Sequence, residues 1–126
     1  MGIGAASDAE LPADPTARAR PEALQVLRRR GYSEDEIFAL VVPKRTLARR
    51  RVADDLLTVE ETDRAQRLER VAVQAERVFG NAEKANRWLR KPKHELNGET
   101  PLAYLASETG ARLVEEMLVR IEHGMF

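Results

Sequence analysis

Apolar residues recur at helical spacing from Ala23 to Ile121, and no stretch alternates apolar and polar positions as a strand requires. The first helix opens at Pro21, a residue favoured at the first helical position, and carries Ala23, Leu24, Val26 and Leu27; Gly31 suits a left-handed cap. Ser33-Glu34-Asp35-Glu36 reads as a capping box, in which the Ser hydroxyl accepts from the backbone three residues on and Glu36 reaches back. The helix it starts turns Ile37, Leu40 and Val41 inward and ends against Pro43. A third helix, Lys44 to Arg51, follows. Thr58-Val59-Glu60-Glu61 is a second capping box and opens the longest helix, about Val59 to Phe79, with Leu68, Val71, Ala72, Ala75, Val78 and Phe79 on one face.

Gly80 ends that helix and Asn81 caps a short one containing Trp88 and Leu89, which stops before Pro92. Lys91 to Glu99 reads as a loop with a turn at Asn97-Gly98. Thr100-Pro101 starts a short helix over Leu102, Tyr104 and Leu105. The last helix carries Leu113, Val114, Met117, Leu118 and Ile121 and ends at Gly124. The prediction is an all-α chain of six to eight helices. Residues 1–17, with two prolines and no apolar period, read as a disordered tail. Residues 18–70 read as a helix-turn-helix and dimerisation domain, joined by the long helix to a second helical domain over 71–126.

Composition changes this picture in three ways. With 126 residues, 43% hydrophobic but only 5% aromatic, the core must be built mainly from Leu, Val, Ala and Ile. The absence of cysteine excludes disulfides and thiolate metal sites and points to the cytoplasm. No apolar run approaches the roughly 20 residues that span a bilayer, so no membrane association is expected, and the acidic, small-residue start is unlike a signal peptide. The net charge of zero conceals an asymmetry: Arg18 to Arg51 holds ten cations and four carboxylates, whereas Ala53 to Phe126 holds eleven and fourteen. A basic segment followed by an acidic one suggests two tasks on one chain.

The clearest local constellation is helix, tight turn, helix over residues 34–51. Lys44, Arg45, Arg49, Arg50 and Arg51 on the second helix are candidates for DNA phosphates or guanine edges; the plainer reading is the solvated basic face of a bundle. Val41-Val42 stands where such motifs usually carry a Gly. Catalytic candidates do not assemble. His94 and His123 lack ligand partners, Glu115 and Glu116 diverge on a helix, Ser7, Ser33 and Ser107 have no nearby base, and no phosphate-cradling Gly loop occurs. No enzyme activity, metal or cofactor is therefore expected. Trp88 is either a core anchor or an interface anchor. Met125 and Phe126 either fold back on the core or enter a partner's pocket.

Val78-Phe79-Gly80-Asn81, Ala85, Trp88-Leu89, Pro92, Leu96-Asn97-Gly98, Pro101-Leu102, Gly110 and Val119-Arg120-Ile121-Glu122-His123-Gly124, in that order, resemble the toxin-binding domain of Xre/MbcA/ParS-type antitoxins. Pro43 to Arg50 is similar to the second half of that family's Xre-like helix-turn-helix, so the resemblance covers residues 20–126. It implies a dimeric type II antitoxin encoded beside a RES-domain toxin that degrades NAD or transfers ADP-ribose from it. The C-terminal domain would cover the toxin's active site in a hetero-oligomer, and the N-terminal domain would bind operator DNA as an autorepressor. The toxin-binding residues implied or flanking are Trp88, Leu96, Pro101, Met117, Arg120, Ile121, Glu122, Gly124, Met125 and Phe126. The alternative is a helix-turn-helix regulator whose C-terminal half only dimerises; the gene beside this one separates the two.

Overall fold

The computed structural model describes residues 10–124. A 3-10 turn, Pro21–Leu24, leads into α1 (Gln25–Arg29), followed by α2 (Glu34–Leu40), α3 (Lys44–Val52), α4 (Val59–Phe79), α5 (Ala82–Leu89), a 3-10 turn at His94–Leu96, α6 (Pro101–Tyr104) and α7 (Glu108–Glu122). There is no strand among the described residues. The fold is all-α.

Side-chain caps set most of these boundaries. In the first capping box Glu36 N donates to Ser33 Oγ at 3.1 Å and Ser33 N to Glu36 Oε1 at 2.9 Å. The second is its equal, with Glu61 N to Thr58 Oγ1 at 3.0 Å and Thr58 N to Glu61 Oε1 at 2.9 Å. Asn81, Thr100 and Ser107 each accept from the N–H three residues on, starting α5, α6 and α7. Each such cap contributes about 1 kcal/mol. Gly80 ends α4 at φ +84°, a conformation that a side chain would strain.

The chain divides into two compact units, the first ending at Gln66 and the second starting at Arg67, inside α4. In the first unit Leu24, Leu27, Ile37, Val42, Leu47, Leu57 and Ala65 are buried. The extended stretch before the first turn is stitched to the loop before α4: Leu57 N donates to Ala19 O at 2.8 Å, and Ala19 N to the buried Thr62 hydroxyl at 3.0 Å. Arg18 Nε donates to Leu57 O at 2.9 Å. Of the tail expected over residues 1–17, residues 1–9 lie outside the described residues, and its far end is held. Gln66 Nε2 donates to the carbonyls of Pro12 and Asp14 at 2.7 and 3.0 Å, and the Asp14 carboxylate accepts from Thr16 N and Oγ1, both at 2.8 Å.

In the second unit Leu68, Val71, Ala72 and Ala75 of α4, Ala85 and Leu89 of α5, and Ala111, Val114, Met117 and Leu118 of α7 form the core, with Leu96, Pro101 and Leu105. The C-terminal half of α4 and α7 run parallel, as their ion pairs show. Arg67 meets Glu108 at 3.1 Å, Arg70 meets Glu108 at 3.4 Å and Glu115 at 2.7 Å, and Arg77 meets Glu122 at 3.7 Å. Glu108, Glu115 and Glu122 lie one heptad apart, as do Arg70 and Arg77, so charges flank an apolar seam as in a coiled coil. At Gly110 the turn after α6 comes so close that a Cβ would drive into the Tyr104 carbonyl oxygen.

Candidate functional site

Two surfaces carry the residues singled out from the sequence. The first is the outer face of α3. The link from α2 is Val41-Val42-Pro43, and both valines are buried, at 2% and 0% exposure. Val42 N donates back to Ile37 O at 3.2 Å, and Val41 O accepts from Arg64 Nε at 2.9 Å. Neither valine has positive φ, which is why this turn needs no glycine.

On α3, Leu47 points into the core, while Lys44, Arg45, Arg49 and Arg51 are exposed and have no ion-pair partner among the described residues. Ala48 and the almost fully exposed Val52 lie among them. Arg50 stands apart. Its Nη2 donates to Glu61 Oε2 at 3.0 Å and its Nε to Oε1 at 3.2 Å. Burial pushes the Glu61 carboxyl up, but the Arg50 hydrogen bond, the Thr58 backbone N–H and the charges of Arg50 and Arg64 outweigh it and hold the group below its ordinary range. Of the five cations singled out on this helix, four face outward and one fastens it.

The second surface belongs to the C-terminal unit. Leu96, Pro101 and Met117 are buried, so they shape the surface from beneath. Arg120, Glu122 and Gly124 are exposed and Ile121 is half-buried. Glu122 is paired with Arg77, both well solvated, so that pair is weak and easily opened. Met125 and Phe126 lie outside the described residues. Leu113 and Val119, at 43% and 42% exposure, put apolar area on the outer face of α7, beside Arg112, Glu116 and Arg120. Trp88 is half-buried: it packs on Phe79 with ring centroids 5.6 Å apart, and Lys93 Nζ sits 5.0 Å from its ring centroid.

Sequence reasoning missed the division of charge in this unit. Ala82 to His94 contains five cations and one carboxylate, whereas Glu95 to Gly124 contains two cations and six carboxylates. The negative excess assigned to the C-terminal half therefore sits away from α5. It also missed the Arg67–Glu108 and Arg70–Glu115 pairs, which the seven-residue spacing of the glutamates could have signalled.

Among the described residues no group of three His, Cys, Asp or Glu side chains can hold a metal ion, and no helix is long and apolar enough to cross a membrane. His94 and His123 are both exposed.

Residues 74–124, which include α5, α6 and α7, match the antitoxin Xre/MbcA/ParS C-terminal toxin-binding domain. Three curated relatives, each named antitoxin Xre, align with about two thirds of this chain. That of Pseudomonas putida is 46% identical over 84 residues, covering 67% of this chain and 53% of the relative. That of Yersinia enterocolitica is 40% identical over 86 residues, covering 68% and 58%. That of Photorhabdus laumondii is 35% identical over 82 residues, covering 64% and 55%. The alignments thus span little more than half the length of each relative.

Proposed function

With residues 74–124 belonging to the antitoxin Xre/MbcA/ParS C-terminal toxin-binding domain family, we propose that this chain is a type II antitoxin that neutralises a protein toxin by covering its active site. The observation that carries the reading is the match itself, which takes in every helix that follows α4. The toxin class is a RES-domain enzyme that consumes NAD, by degrading it or by transferring ADP-ribose. The inhibitor acts in the cytoplasm without catalytic residues or cofactor; it needs only a shaped surface. An NAD pocket is a concave, largely apolar cleft, and the exposed Leu113 and Val119 of α7 offer apolar area to cover its mouth. Trp88, Arg120, Ile121, Glu122 and Gly124 are the contact residues on this reading, with Met125 and Phe126 completing it.

The test is co-expression. The adjacent gene product should arrest growth and deplete NAD when made alone, and do neither when this chain is made with it. An adjacent gene with no growth phenotype would sink the reading.

A second activity has its own support, in the unpaired cations of α3. The chain represses its own operon by laying Lys44, Arg45, Arg49 and Arg51 along operator phosphates, as a homodimer that places two readers on a palindrome. The hetero-oligomer with toxin is built on that dimer.

A further inference from the structure

Helix α5 carries a cationic stripe that neither the core nor the helix itself accounts for. Lys84 and Arg87 are one turn apart on the same face, and Lys91 follows in the turn that closes the helix, where its N–H donates to Trp88 O at 3.4 Å. All three are exposed. None has a carboxylate partner among the described residues, in contrast to Arg67, Arg70 and Arg77 on α4. The helix dipole favours Arg87 and Lys91 near the C-terminal end, but it disfavours Lys84, which lies in the first turn and spends its charge against the positive end. That placement calls for a partner outside the unit.

The helix that carries the stripe is anchored to the unit. Asn81 caps α5, Ala85 and Leu89 fix its inner face at 2% and 1% exposure, and Trp88 beside the stripe is held by Phe79 and Lys93. A half-exposed Trp flanked by cations is the composition of an interface anchor, and one already ordered loses little entropy on binding.

We propose that the Lys84–Arg87–Lys91 stripe with Trp88 is a second toxin-docking surface, which takes an acidic face of the toxin outside the NAD pocket. The proposal rests on the antitoxin reading above, and α5 lies within the residues matched to the toxin-binding domain. The C-terminal unit then meets its partner with two patches of different character, an apolar one on α7 and a cationic one on α5. Leu113 and Val119 of α7 cover the pocket, and α5 faces carboxylates. Two such patches fix the orientation of docking, because reversal would set the apolar patch of α7 against carboxylates and leave the α5 cations without partners.

The experiment compares the full-length chain with the variant Lys84→Glu/Arg87→Glu/Lys91→Glu, its helicity checked by circular dichroism. The probe is the purified product of the adjacent gene, with association followed at low and high salt. The proposal requires association to slow by about tenfold or more at low salt, with the difference shrinking at high salt. The neutral variant Lys84→Gln/Arg87→Gln/Lys91→Gln, which introduces no repulsion, should fall between the two. Unchanged association with unchanged salt dependence in both variants would overturn the stripe and leave the antitoxin reading standing. Variants that bind the toxin normally but lose operator DNA would also overturn it, since the stripe would then serve nucleic acid. If the unmodified chain fails to bind that product at all, the antitoxin reading fails first and the stripe with it.

Discussion

Arg50 and Glu61, eleven residues apart, meet through two hydrogen bonds while Glu61 also caps α4 through the backbone of Thr58. One carboxylate therefore sets where α4 begins and how α3 is fastened to it. Acid should release it. The folded carboxyl titrates below its ordinary value of 4.5, so the folded state binds this proton less readily than the unfolded chain. Its contribution is complete above pH 4.5 and fades as pH falls through the folded value. Melting temperatures of the native chain should drop through that acid range more steeply than those of Glu61→Gln, and the two curves should converge at the acid end. Parallel curves across the range would remove this role from Glu61.

The division of labour on α3 separates two variants. Arg45→Ala/Arg49→Ala changes two exposed cations, so melting should be nearly unchanged while operator affinity falls and its logarithmic salt slope shrinks by about 2. Arg50→Ala should instead lower the melting temperature, because Glu61 keeps its burial and loses its main partner. Filter binding across a salt series, run beside calorimetry, distinguishes the two effects. A double variant that holds DNA as tightly as the native chain would remove α3 from the interface.

Gly110→Ala tests the close approach after α6. The added methyl meets a backbone oxygen that cannot rotate away, so the turn or α7 must shift. We expect a loss of about 1–3 kcal/mol, read by denaturant titration. Thr109→Ala, one position back and exposed, makes no such clash and serves as a comparison.

Arg67 is the one member of the α4–α7 ladder that is buried, at 7% side-chain exposure, and it also donates to Leu105 O at 3.3 Å. Arg67→Ala should cost about 2 kcal/mol, since a carbonyl is left unsatisfied and packing is lost. Arg77→Ala, whose pair is solvated, should cost under about 0.5 kcal/mol. Equal losses from the two substitutions would show that burial does not rank these pairs.

Elements with local signals were legible from sequence. Both capping boxes, the Pro43 break and the Val59–Phe79 helix are written in neighbouring residues, and they stand where the spacing put them. Arg50 was unreadable because its meaning depends on Glu61, which belongs to another helix. Leu96, Pro101 and Met117 suit either a core or an interface by residue type, and only the packing of the C-terminal unit decided for the core. At Val41-Val42, where helix-turn-helix turns usually carry a Gly, the chain takes no positive φ, so two valines serve.

Because α4 and α7 run parallel, the chain must travel back along their length before the seam can close, and α5 and α6 occupy that return. Arg67 and Glu108 are 41 residues apart in sequence. Closing such a loop costs about 2 kcal/mol more entropy than closing a four-residue turn. We expect the seam to form late in folding, after the shorter-range contacts among α5, α6 and α7. Substitutions along the seam should speed unfolding while leaving the folding rate nearly alone, so the lifetime of the folded C-terminal unit is set by the part of it that assembles last.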